Sequence, residues 1–166
     1  MIMNYLDSLY WIHERSKFGI KPGVKRMEWM LEQFNNPQDK IRGIHIGGTN
    51  GKGSTVAYLR TALVENGYDI GTFTSPFIEI FNERISLNGI PITNDEIVQL
   101  VERVKPICEA LESDTELGAA TEFEIITTMM FLYFGEIRPV DFVIIEAGLG
   151  LSLIHISEPT RPERIS

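Results

Sequence analysis

Residues Ile41 to Ser54, IRGIHIGGTNGKGS, hold the most legible chemistry in the chain: glycines at 47, 48, 51 and 53 around Lys52, closed by the hydroxyl of Ser54. Glycine backbone takes conformations barred to other residues, so successive N–H groups can converge on phosphate oxygens, and Lys52 adds the charge. The apolar run before the loop reads as a strand. After it, Val56, Leu59 and Leu63 at helical spacing, with a stop at Gly67, predict a helix from Ser54 to Asn66. A helix N-terminus favours anions, so strand, loop and helix follow in the order a polyphosphate site requires. The fit to the general phosphate-loop pattern is imperfect: Gly53 separates Lys52 from Ser54, and a glycine five places before Gly51 would fall at Ile46. The plain alternative is a glycine-rich turn without a ligand, and the lysine argues against it.

A carboxylate at the end of a buried strand is where a phosphate-loop enzyme holds Mg²⁺, directly or through water. Val140 to Ile145 is a continuous apolar run that empties into Glu146-Ala147-Gly148-Leu149-Gly150, which makes Glu146 the metal candidate. Its bland reading is a carboxylate capping a turn. Glu122 and Glu124 cannot be separated by pattern, since residues two apart do not share a helix face, and one of them is expected to be solvated or capping. His13 and His45 read as packing or surface residues, and Cys108 as a buried thiol rather than a nucleophile.

Several elements must position these groups. Asn4 to Arg15 and Val24 to Phe34 read as amphipathic helices ahead of the first strand. Asp69 to Thr74 is a second strand, so the order strand–loop–helix–strand predicts parallel pairing in a doubly wound sheet. Ser75 to Arg84 mixes aromatics and charge without a period and reads as a loop at the carboxyl ends of the strands, where ligands bind in open α/β sheets. Asn88-Gly89 marks a hairpin within Ile85 to Ile92. Thr93-Asn94-Asp95-Glu96 has capping-box form and starts a helix that either tolerates Pro106 or ends near it, and another runs from about Glu122 to Gly135.

The 166 residues, 43% hydrophobic with a net charge of −8 and one cysteine, suffice for one α/β domain with a real core. The acidic balance argues against nonspecific nucleic-acid binding, and no apolar run approaches the roughly 20 residues of a membrane span. With no disulfide framework and no basic-then-apolar leader before Tyr5, the cytoplasm is the expected compartment.

Five motifs in order, Gly48-Thr49-Asn50-Gly51-Lys52-Gly53-Ser54, Thr74-Ser75-Pro76-Phe77, Phe81-Asn82-Glu83-Arg84-Ile85, Thr121-Glu122-Phe123-Glu124 and Glu146-Ala147-Gly148-Leu149-Gly150, resemble the folylpolyglutamate synthase and dihydrofolate synthase family, which belongs with the Mur ligases. The resemblance covers Met3 to Gly150. It implies an incomplete P-loop NTPase-like α/β fold, a mostly parallel sheet flanked by helices, forming the N-terminal part of a Mur-ligase-type ATPase domain. It also implies ATP- and Mg²⁺-dependent amide formation between a folate or dihydropteroate carboxyl group and L-glutamate, through an acyl phosphate, in a monomer. Gly48, Thr49, Asn50, Gly51, Lys52, Gly53 and Ser54 would bind ATP, and Ser75 and Glu146 would hold Mg²⁺. Lys52 and Glu146 would be the catalytic pair. Asn82, Glu83 and Arg84 would belong to a mobile loop between nucleotide and folate sites, with Phe77 beside the substrate. Thr121 and Phe123 would lie by the pterin, where an aromatic face can stack on a planar heterocycle. Without the resemblance, Phe77, Phe81 and Phe123 read as ordinary core.

The departure comes after Gly150. Members of the family continue with another glycine, an Asp- and Asn-containing stretch, a histidine metal ligand, a lysine that becomes carbamylated, and a C-terminal glutamate-binding domain. Here Leu151 to about Arg161 resembles the conceptual translation of a transposase-based sequencing adapter. The expectation is therefore a ligase segment over 1–150, a foreign tail over 151–166 excluded from the fold, and no activity from the segment alone. A small complete nucleotide-binding or NTPase module, and a Mur-type cell-wall ligase fragment, are the competing readings. Whether the parent adds the first glutamate, extends polyglutamate tails or does both is left open by these residues.

Overall fold

The computed structural model describes residues 3–19, 23–47, 52–75, 77, 79–146 and 163–165. Helix α1, Tyr5–Glu14, begins at a capping box in which the Asn4 side chain accepts from the Asp7 amide at 2.8 Å and the Asp7 carboxylate faces the Asn4 amide. Helix α2, Val24–Glu32, buries Met27, Met30 and Leu31. It stops short of Phe34 because the chain turns through Asn35 and Asn36, both at positive φ. Strand β1, Gly43–Ile46, leads towards the glycine loop, and helix α3, Lys52–Glu65, follows it. Strand β2 is Ile70–Phe73.

The segment expected to be a loop contains a 3-10 turn, Phe81–Arg84. The hairpin follows as β3, Ile85–Leu87, and β4, Ile90–Pro91, turned by Asn88 and Gly89 with φ of 51° and 84°. Helix α4, Asn94–Asp114, runs straight through Pro106. Its buried stripe of Ile97, Leu100, Val101, Val104, Cys108 and Leu111 continues past the proline and outweighs the lost hydrogen bond. Helix α5, Glu122–Leu132, passes into one wide π turn, Tyr133–Ile137. There Gly135 slides past Pro37 so closely that a Cβ would lie 2.4 Å from the Pro37 carbonyl oxygen. Strand β5 is Phe142–Glu146.

The strands form one sheet whose order includes a sixth, β6, Glu163–Ile165: β4-β3-β2-β5-β1-β6. β1, β2, β5 and β6 are parallel, and the β3–β4 hairpin adds an antiparallel edge to β2. The connection from β1 to β2 carries α3 over one face, and the return from β2 to β5 carries α4 and α5 over the other, the double winding that right-handed crossovers produce. The sequence reading excludes 151–166 from the fold, yet 163–165 pair with Ile44–Ile46. The outer edge of β1 presents unpaired backbone groups, and a short extended segment satisfies them whatever its origin.

Candidate active site

The register sets the site. Ile46 of β1 lies opposite Glu146 of β5, and Phe73 of β2 lies opposite Ile145. The carboxyl ends of the three central parallel strands are therefore level, with Glu146 between the strand that feeds the glycine loop and the strand that feeds Ser75. Glu146 is half-buried there. Lys52 opens α3, and Gly53 and Ser54 lie exposed in its first turn. Gly48, Thr49, Asn50 and Gly51 fall outside the described residues.

Beyond β2, Ser75 is exposed, and its Oγ accepts from Arg84 Nη1 at 3.3 Å. The Arg84 guanidinium lies 5.5 Å from the Phe77 ring centre and 5.7 Å from that of Phe81, within cation–π range. Burial pulls its pKa below the ordinary arginine value, opposed by the Glu122 carboxylate, and it remains a cation at any physiological pH. Phe77 packs edge-on against Phe81 at 6.1 Å.

The other residues of the Phe81–Arg84 turn do structural work. Glu83 Oε2 accepts from the amides of Glu79 and Ile80, at 3.0 and 2.9 Å. Asn82 is 2% exposed; its Nδ2 donates to the Ile92 carbonyl and to Asn94 Oδ1, and its Oδ1 accepts from the Tyr5 hydroxyl. Thr74 ties the turn to β2, its amide donating to the Arg84 carbonyl at 3.0 Å and its hydroxyl to the Glu83 carbonyl at 3.2 Å. The described part of the expected mobile loop is thus held by hydrogen bonds through Thr74, Asn82 and Glu83.

Thr121 is the N-cap of α5, its Oγ1 accepting from the Glu124 amide at 3.3 Å. Phe123 is half-buried, its ring tilted against Phe73 at 6.3 Å. The two glutamates that sequence pattern could not separate take different partners. Glu124, 0% exposed, receives Arg26 Nε and Nη2 in a bidentate pair, with Arg26 Nη1 also donating to the Leu117 carbonyl. Glu122 reaches His13 Nδ1 at 2.9 Å, and the same imidazole meets the Phe81 ring edge-on at 5.8 Å. Tyr5 and Arg26 are the residues sequence reasoning missed, while His13, read as a packing or surface residue, packs here against Phe81 and Glu122. The capping box that fixes Tyr5, and a lone arginine beside the apolar stripe of α2, were the available signals. Cys108 is buried and pushed up to about 12 by desolvation, which leaves it an inert thiol.

Among the described residues no group of three or more His, Cys, Asp or Glu side chains could enclose a metal. One carboxylate and one hydroxyl, from Glu146 and Ser75, suit Mg²⁺, which takes few protein oxygens and completes its shell with water and phosphate.

No family model matches the chain. The dihydrofolate synthase/folylpolyglutamate synthase of Bacillus subtilis is 56% identical over 150 residues, which is 90% of this chain and 35% of that protein. The solved folylpolyglutamate synthetase from Lactobacillus casei superposes with a TM-score of 0.82 at 36% identity, covering 89% of this chain and 37% of that one. A solved complex of FPGS with AMPPCP and folate gives 0.81 at 37% identity, over 88% and 35%. The chain spans about a third of the length of the relatives it matches.

Proposed function

We propose that the chain, 56% identical over 150 residues to a dihydrofolate synthase/folylpolyglutamate synthase and superposable on a solved folylpolyglutamate synthetase, supplies the ATP-binding part of a ligase that joins L-glutamate to a folate or dihydropteroate carboxyl group. The observation that carries this reading is the register of Ile46 with Glu146, which sets a carboxylate beside the strand feeding the glycine–lysine loop. ATP, as the AMPPCP of the related complex suggests, would lay its phosphates on Gly48 to Ser54 at the start of α3, with Lys52 neutralising charge. Glu146 and Ser75 would hold Mg²⁺, which when bound offsets the repulsion between a carboxylate and a triphosphate.

The protein itself would position and neutralise. The substrate carboxylate would attack the γ-phosphorus, ADP would leave, and the glutamate amine would displace phosphate from the resulting acyl phosphate, with no protein nucleophile. Arg84, stacked on Phe77 and Phe81 beside Ser75, would meet the anionic part of the substrate, while Phe123 and Thr121 would lie by its heterocycle. A monomer in the cytoplasm fits this reading, and no helix among the described residues is long and apolar enough to cross a membrane. The 166-residue segment alone is proposed to be inactive, with 151–166 foreign to the ligase.

The test is ATP-dependent incorporation of glutamate by the full natural chain, with release of ADP and phosphate. Glu146→Gln should lower kcat about 100-fold or more while nucleotide binding persists. ATP hydrolysis that needs neither folate nor glutamate would instead mark a nucleotide switch and reject the ligase.

A further inference from the structure

Asn82 lies at the centre of a polar knot that the ligase reading does not use. Both hydrogens of its amide nitrogen are committed, at 2.8 Å to the Ile92 carbonyl and 3.0 Å to Asn94 Oδ1, and its oxygen takes the Tyr5 hydroxyl at 2.6 Å. With 2% exposure it offers a ligand nothing. Tyr5, the first residue of α1, is fixed by the Asn4–Asp7 capping box and by the Ser8 hydroxyl donating to the Asn4 carbonyl. Two residues beyond Asn82, Arg84 carries the guanidinium that reaches Ser75, and its carbonyl accepts from Thr74 at the end of β2.

We propose that Tyr5 is a positioning residue whose hydroxyl, through Asn82, holds the Phe81–Arg84 turn so that Arg84 and Ser75 face the end of β5. Asn82 is then a hub and not a substrate contact. Hydroxyl and amide sit 77 residues apart in the chain, so the bond joins the start of the first helix to the edge of the crevice. Burial raises the Tyr5 pKa, which keeps the donor protonated. The other fastenings of the turn come from the neighbouring chain segments, namely Thr74, Glu79, Ile80, Ile92 and Asn94 at the start of α4; Tyr5 and the edge-on His13 reach it from α1. Loss of the hydroxyl should therefore loosen the orientation of Arg84 without unfolding the sheet.

This inference rests on the ligase reading for its kinetic consequence and on geometry alone for its structural one. The test is Tyr5→Phe in the full natural chain, read in two ways. Hydrogen exchange at the amides of Thr74, Glu83 and Ile85 should quicken about tenfold, the equivalent of one buried hydrogen bond, while the α5 amides stay as they were. The KM for the folate substrate should rise several-fold with kcat nearly unchanged, and adding Tyr5→Phe to Asn82→Ala should change KM no further. Unchanged exchange at those three amides overturns the proposal. Faster exchange with an unmoved KM overturns the positioning role and leaves a purely structural bond. If the wild-type chain ligates nothing, the ligase reading fails, and exchange still decides whether Tyr5 holds the turn.

Discussion

The two faces of the sheet are built unequally. On one, α1, α2, α4 and α5 converge on Phe73, Val143 and Ile145 in a core that takes in most of the buried apolar residues. On the other, among the described residues, α3 covers a small cluster of Ile44, Ile46, Val56, Ile70 and Ile144. The heavy face can enclose a fully buried carboxylate, because Arg26 meets Glu124 there. The light face carries the helix whose N-terminus is proposed to take phosphate. Stability and nucleotide chemistry are thus placed on opposite sides of the same strands and meet only at their carboxyl ends, where Glu146 stands.

The sharpest way to break this comparison is at the ion pair. Arg26→Met leaves the Glu124 carboxyl group without its guanidinium partner in a site with no solvent exposure. Breaking one side of a buried pair costs about 3–5 kcal/mol, whereas replacing both members with apolar residues is often near neutral. Chemical denaturation should show a loss of that size for Arg26→Met and recovery of most of it in Arg26→Met/Glu124→Met. A single-variant loss under about 1 kcal/mol would mean that the pair is solvated and the heavy face is not closed.

Neighbouring residues of β5 make a finer test. Ile144 and Ile145 are both 0% exposed, the first in the cluster under α3 and the second in the larger core. Truncating a buried isoleucine to alanine costs about 2–5 kcal/mol, less where the surroundings can settle into the space. One covering helix can shift more readily than four locked together. Ile145→Ala should fall in the upper half of that range and Ile144→Ala in the lower half, compared by urea midpoints at equal m value. Equal losses would erase the distinction between the faces.

Much of this arrangement is legible in the residues. The capping box at Thr93, the Asn88-Gly89 turn and the apolar run into Glu146 each act locally, so each predicts its element within a few positions. What escapes local reading is held by distant partners. Nothing near Glu124 points to Arg26, 98 residues away, and nothing near Asn82 points to Tyr5, so the buried hydrogen bonds of both residues show only in the fold. The pairing of 163–165 with β1 likewise joins segments far apart in the chain.

A smaller effect, visible only with pH, concerns how the heavy face is closed at its far end. The Tyr133 hydroxyl, at the π turn after α5, donates to Glu96 in the first turn of α4. Burial works against the Glu96 carboxylate, but hydrogen bonds from the Thr93 amide and the Tyr133 hydroxyl outweigh it and hold its pKa below the ordinary 4.5. The unfolded chain therefore takes up this proton more readily than the folded one. The stabilisation is present in full above pH 4.5 and fades as pH falls through the lower folded value. Glu96→Gln removes the titration while keeping the side-chain shape, so its stability should fall less steeply than wild type over that acid range, with Ile144→Ala keeping the wild-type slope. Parallel acid limbs for wild type and Glu96→Gln would show that Tyr133 fastens α5 to α4 without any charge on Glu96, and closure of the heavy face would then be apolar packing alone.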